Sequence, residues 1–426
     1  MRRSVHFTNA WHGASGGIRT FYEALLNGAE RHRRHLALVV PGERTDVEHR
    51  GTFGRIYTLK ASRSPVFDRR YRVLWPHQYL TGRQSPIERI LAQERPEVIE
   101  ICDKYVLPWL CGVIRTRAGN EPRPTLIGLS CERMDDNVRA YLGGGTVTRT
   151  ASRAFLRRAY LPLFDAHIAN STYTAEELTD VIDRYAPVDE RLRQLPTIRI
   201  GPMGVALDEF SPARRLEHLR DSLLGRTGGG TDARLIVYAG RLSPEKHVRW
   251  LPEMLDRLAG LGIDGRLVIC GDGPLRAEMD LAAARMGRRM LILGHVDRAT
   301  LADTLASADV FVHPNPNEPF GIGPLEAMAS ALPVVLPRSG GVLTYASDHN
   351  SWLTSASAEG LAAGVAAALL SPARAAERCD RALTDVQRLS WPAAVDTYFD
   401  HYDELDQARR ARSWPPAADK LAAQQT

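Results

Sequence analysis

Two carboxylates eight positions apart, Glu318 and Glu326, stand in the segment EPFGIGPLEAMASA. The segment follows ADVFVHP, an apolar run with the composition of a buried strand. Between the acids lies a loop with Pro319, Gly321 and Gly323, whose backbone N–H groups could receive an anion. Pro324 suits the first position of a helix, because its missing N–H would be unpaired there anyway. With Gly323 as the cap, Glu326 falls in the first turn, where the helix dipole favours a carboxylate. One acid then sits at a strand's carboxyl end and the other at a helix start, on either side of that loop. They could equally be a first-turn charge and a solvated loop residue.

A pair of cations complements the acids. LIVYAG reads as a strand, and its exit GRLSPEK carries Arg241 and Lys246. Ser243 is placed to cap a helix with Pro244 at its first position, which puts Lys246 in the first turn. A cation is disfavoured there unless an anionic ligand shares the site. The two have the character of a diphosphate clamp, with a solvated basic turn as the plain alternative. RLVICGDGP and MLILGHV are strands that exit into Gly271 and Gly273, and into Gly294 and His295. Those turns could border a nucleotide base, although G-x-G alone is a weak signal and a lone histidine is more often structural. PVVLPRSGGV adds a strand and a last Gly-rich loop at residues 339–341.

The elements that must position these residues alternate along the whole chain. A short strand at residues 4–7 leads into NAWHGASGGIRTF, where Gly16 and Gly17 precede a helix from about residue 18 to 30. Two glycines before a helix leave free N–H groups and room for a ligand, or make an ordinary strand–helix turn. His12 lies in the same loop. HLALVVPG, EVIEIC, TLIGLS and DAHIANS are further strands. Residues 52–86 read as irregular, with Phe53, Tyr57, Phe67, Arg69, Arg70, Tyr71, Arg72 and Trp75 mixed together. Residues 149–163 form a second basic segment, with Arg153, Phe155, Leu156, Arg157, Arg158 and Tyr160. Either could meet an anionic lipid surface or pack on its domain with arginines in water. At the exit of TLIGLS, SCERMDDN gathers Cys131, Glu132, Arg133, Asp135 and Asp136 where parallel sheets place ligands. No histidine cluster accompanies them, which argues against metal. Thr174 and Glu177 have capping-box spacing.

The chain has 426 residues, room for two or three domains, and a formal charge of +5. That mild basicity fits a phosphate-bearing ligand; no zinc-finger spacing or long basic tract points to nucleic acid. Cys102, Cys111, Cys131, Cys270 and Cys379 are scattered and odd in number, as in a reducing cytosol. No signal peptide and no apolar run of about 18 residues is evident. The expected architecture is α/β: two Rossmann-like parallel-sheet domains, residues 1–202 and 203–390, facing across a cleft, with a late helix near 392–409 and a polar tail at 410–426. Loops 13–17 and 130–133 then face 241–246, 271–273, 294–296 and 318–326.

On these residues the chain resembles the retaining glycosyltransferases of family 4, with the GT-B fold, over nearly its whole length. GRLSPEK is similar to the family's phosphate-binding Arg and Lys, EPFGIGPLE to its paired glutamates, and Gly16 and Gly17 to its donor-facing loop. The resemblance implies retaining transfer of a hexose, such as mannose, from a GDP- or UDP-sugar. Arg241 and Lys246 would hold the diphosphate, with help from the backbone of Phe320, Gly321, Ile322 and Gly323. Glu326 would bind the ribose and Glu318 the sugar hydroxyls. Gly271, Gly294 and His295 would line the donor site, no bound metal is needed, and helix 392–409 would cross back to the first domain. Cys131 departs from the pattern, since several relatives carry a histidine there that contacts the donor; Glu132 or a neighbouring acid would compensate, or the sugar specificity would differ. DKYVLPWL and SCERMDD resemble the subgroup of phosphatidylinositol mannosyltransferases and sulfolipid synthases. That implies a lipid acceptor at the cytoplasmic face of the membrane, with a soluble glycan as the other choice. A catalytically weak nucleotide-sugar-binding protein, or an epimerase or phosphorylase, would share the same motifs.

Overall fold

The computed structural model describes residues 2–12, 16–64, 71–80, 85–118, 122–142, 145–230 and 232–412. Phe67, Arg69, Arg70 and the tail from residue 413 lie outside them. Strands are numbered along the chain. β1 (Arg3–Thr8), β2 (His35–Gly42), β3 (Asp46–Arg50) and β4 (Gly54–Lys60) come first. A small ribbon of β5 (Ser62–Arg63) and β6 (Arg72–Val73) follows, then β7 (Val98–Cys102), β8 (Thr125–Ser130), β9 (Ala166–Ala169) and β10 (Arg199–Ile200). These build one sheet in the order β10-β9-β8-β7-β1-β2-β4-β3, with the ribbon apart. Every pairing in the sheet is parallel except β3 with β4. β7 and β8 are buried at every position, which is why VIEIC and TLIGLS are largely apolar rather than alternating, with the buried Glu100 the exception in β7.

The second sheet holds β11 (Arg234–Ala239), β12 (Gly265–Cys270), β13 (Met290–Gly294), β14 (Val310–Val312), β15 (Val334–Pro337) and β16 (Trp352–Thr354), in the order β13-β12-β11-β14-β15-β16. All its pairs are parallel. Helices cover both sheets, so strand exits are the open ends of each domain.

Two strands join the domains side by side. The Val205 N–H donates to Leu389 O (2.8 Å) and the Trp391 N–H to Val205 O (3.1 Å). The helix Trp391–Arg412 then returns to the first domain. It is pinned there by polar contacts: Tyr402 donates to the buried Glu100, Arg34 pairs with Asp403, and Thr125 and Arg2 donate to Asp406 (2.6 and 3.0 Å).

The structure corrects three local readings. Residues 52–86 are not irregular throughout, because Gly54–Lys60 is a seven-residue strand paired on both edges. Ser171, not Thr174, caps the helix Thr172–Tyr185, and Thr174 completes the capping box; Glu177 is instead the ion-pair partner of Lys104. The segment at 149–163 is packed: Leu156 and Tyr160 are buried, and Arg157 sits over Tyr185 and beside Asp189. Its apolar side is therefore covered by protein.

Candidate active site

Between the two sheets' open ends lies a cleft of about 2290 Å³, lined from both domains. Glu318 is rooted in the loop after β14 and is 7% exposed. Its Oε2 accepts from Lys246 Nζ (2.7 Å), His313 Nε2 (2.9 Å) and Asn315 Nδ2 (3.0 Å). Burial alone would raise its pKa, but the Lys246 charge and the His313 hydrogen bond outweigh it and hold the carboxyl well below its usual range. The loop itself is fixed by short backbone contacts. The Gly341 N–H donates to Glu318 O (2.6 Å), and a Cβ on Gly341 would lie 1.8 Å from Pro319 O. Gly321 adopts φ +85°, and its carbonyl accepts from Tyr345 (2.5 Å).

The helix that follows is Ile322–Ala329, capped by Gly321. It begins two residues before Pro324, so Glu326 lies past the first turn and does not use the dipole as expected. Pro324 is accommodated because it still falls among the first N–H positions that have no helical partner. Glu326 is buried against Arg298 Nη1 (3.5 Å). Burial pushes its carboxyl up to about 7; Arg298 pulls it down, and Glu209 adds to the rise. Arg298 in turn donates to Glu209 (2.6 Å).

Lys246 is likewise shifted from its expected place. Pro244–Lys246 is a single 3-10 turn, and the α-helix starts only at Trp250. Ser243 gives its hydroxyl to Glu245 (2.5 Å) rather than to the backbone. Lys246 therefore points at Glu318 instead of standing in a helix's first turn. Arg241, Gly271 and His295 line the same wall of the cleft, and Gly294 turns with φ +77° beside them. Gly271 packs on Gly240, whose carbonyl oxygen lies 1.8 Å from where a Cβ would be.

On the opposite wall, Gly16 caps the helix Gly17–His32, and a Cβ on Gly17 would stand 3.0 Å from Ile322 Cδ1. The two donor-loop candidates therefore meet across the cleft, although residues 13–15 are outside the described set. Cys131 follows β8 and lines the cleft with Cys102 and Glu132. Glu132 accepts from Asn137 (2.8 Å), and burial raises its pKa against the pull of Lys104. Lys104 is itself spent on Glu177 and on the Glu132 carbonyl. Among the described residues, no group of three or more His, Cys, Asp or Glu is arranged to hold a metal ion. No helix among them is long and apolar enough to cross a membrane.

The structure thus brings most candidates from both halves around one cleft, whereas Gly294, Gly273, His12, Asp135 and loop 339–341 are not among the residues lining it. It adds His313, Asn315, Arg298 and Tyr345, which residue types alone did not single out. His313 and Asn315 precede Glu318 by five and three positions in VHPNPNE, and a polar pair so close to a key acid was the signal available.

Known proteins resemble this chain in sequence and in fold. The family described as "Glycosyl transferases group 1" matches residues 225–384. A GDP-mannose-dependent alpha-(1-6)-phosphatidylinositol dimannoside mannosyltransferase from Mycobacterium tuberculosis is 30% identical over 396 residues, covering 92% of this chain and 94% of its own. The chain belongs to the group 1 glycosyltransferases. The sulfoquinovosyl transferase SQD2 of Arabidopsis thaliana is 33% identical over 145 residues, 34% of this chain and 27% of that one. Sucrose-phosphate synthase from Thermosynechococcus elongatus superposes with a TM-score of 0.71 at 18% identity, over 96% of this chain and 100% of that one. Anabaena HepE in complex with UDP and glucose gives 0.65 at 17% identity, over 95% and 100%. The fold of this group 1 glycosyltransferase is accordingly GT-B, and the enzyme moves a hexose from a nucleotide sugar.

Proposed function

We propose that this glycosyltransferase transfers mannose from GDP-mannose, with retention, to a hydroxyl of a mannose-bearing glycolipid. The observation that carries the reading is the ion pair of Lys246 with Glu318 at 2.7 Å in the cleft wall, with the buried Glu326 in the helix that follows the Glu318 loop. The choice of mannose, GDP and lipid is supported by the mannosyltransferase similar over 92% of the chain.

In this reading Lys246 and Arg241 grip the diphosphate. As the bond between C1 and the phosphate oxygen breaks, they neutralise charge on the departing GDP, the part a divalent cation plays elsewhere. The acceptor oxygen bonds to C1 from the same face, and its proton passes to the leaving phosphate. Glu318 holds sugar hydroxyls and Glu326 the ribose. Gly271, Gly294 and His295 border the base. Peripheral contact with an anionic membrane, at its cytoplasmic face, belongs to the same reading and brings the enzyme to its acceptor. Glu132 and Asn137 face the acceptor side, where Cys131 offers no imidazole.

The test is a donor and acceptor screen with the purified chain. GDP-mannose with a mannosylated phosphoinositide should give an α-linked product, and flotation on anionic liposomes should weaken with salt. Turnover of UDP-glucose but not of GDP-mannose would overturn the donor assignment.

A further inference from the structure

We propose that His313 is a positioning residue for the transfer: its Nε2–H fixes Glu318 so that one carboxylate oxygen is saturated by protein and the other is left for the donor sugar. The proposal rests on reading Glu318 as the acid that holds the sugar.

Three donors converge on Glu318 Oε2, from Lys246, His313 and Asn315. No described residue donates to Oε1. An uneven division of this kind sets the rotation of a carboxylate, because the loaded oxygen cannot turn away without breaking three bonds. His313 is 4% exposed and continues the β14 ladder, its N–H donating to Val335 O (3.0 Å). Its ring stacks over Tyr238 (6.4 Å, 25°), whose hydroxyl donates to Arg241 O (3.0 Å). One packed unit therefore carries both the Glu318 holder and the exit turn of Arg241.

The ring's protonation follows from its contacts. Nε2 faces a carboxylate and must carry hydrogen to bond it. Nδ1 is buried without a partner, so a proton there would be a donor left unsatisfied. The Nε2–H tautomer is the one that fits.

His313 gains its importance when the donor binds. Lys246 then divides its ammonium between Glu318 and a diphosphate. His313 and Asn315 have no phosphate to attend to, and they keep Oε2 in place while the lysine's charge is shared. The other groups facing this carboxylate are the hydroxyls of Tyr238 and Tyr345, the latter turned to Gly321 O.

Three proteins test this: the parent chain, His313→Leu, which has no donor, and His313→Gln, whose amide N–H reaches about as far as Nε2–H. With GDP-mannose, His313→Leu should lose about 10- to 100-fold in kcat with a smaller change in KM. His313→Gln should recover most of the lost kcat, and unfolding temperatures should show all three folded. Histidine ¹⁵N spectra of the parent chain should show hydrogen on Nε2 and none on Nδ1. Parent-like kcat in His313→Leu, no recovery in His313→Gln, or an Nδ1–H tautomer would each overturn the proposal. If the parent chain turns over no nucleotide sugar, the reading of the enzyme fails and the role of His313 in transfer falls with it, whereas an active parent with an unaffected His313→Leu overturns the His313 proposal alone.

Discussion

Glu318 and Glu326 are both buried carboxylates in one loop–helix segment, yet their surroundings drive them in opposite directions. Glu318 has a lysine in contact; Glu326 has only a more distant arginine, which Glu209 also engages. The raised pKa of Glu326, about 7, has a consequence for stability. Between the unfolded value near 4.5 and 7 the folded chain binds more protons than the unfolded one, so this group's contribution falls as pH rises through that window. By pH 8 the full penalty, on the order of 3 kcal/mol, is felt. Glu326→Gln removes it. In urea unfolding, the variant should gain on the parent chain between pH 5 and pH 8, and parallel stabilities across that range would refute the assignment of burial as the cause. The two acids themselves were legible from their spacing. Their environments were not, because Gly321 starts the helix two residues early and Arg298 arrives from 28 positions away.

Among the elements, the returning helix Trp391–Arg412 depends on a buried polar contact as well as on apolar packing. Glu100, fully buried in β7, accepts from Tyr22 (2.8 Å) and contacts His6 through Oε1, whereas its Oε2 has Tyr402. Tyr402→Phe leaves that oxygen buried without a donor, a cost of about 1–3 kcal/mol. Thermal unfolding should therefore show a clear loss for Tyr402→Phe, and an unchanged midpoint would mean that Glu100 is satisfied otherwise. The central strands were readable because burial on both faces makes them largely apolar, even with Glu100 in the middle of β7. The β3–β4 hairpin was not, since β3 is DVEHR, four of its five residues exposed, and nothing in such a sequence resembles a strand. Lys246 shows the same limit in another form: Ser243 and Pro244 look like the start of an α-helix, but the serine's hydroxyl goes to Glu245 and the turn stops after three residues.

At the scale of the molecule, the domains meet at the loop that carries Glu318. The Ser171 hydroxyl, at the cap of a first-domain helix, donates to Pro319 O (2.5 Å), and Tyr173 reaches Asn317 (3.2 Å). The cleft is thus shaped by contacts between halves more than 140 positions apart, and these no local pattern announces. What the pattern did announce was two runs of strand–helix alternation and the residue types at the strand exits. In the proposed reaction the second domain grips a leaving diphosphate through Lys246 and Arg241. Calorimetric titration of GDP into the parent chain and into Lys246→Ala tests it most directly. We predict roughly 10- to 100-fold weaker binding by the variant, with a shallower dependence on salt. Equal affinity and equal salt dependence in the two proteins would contradict the account.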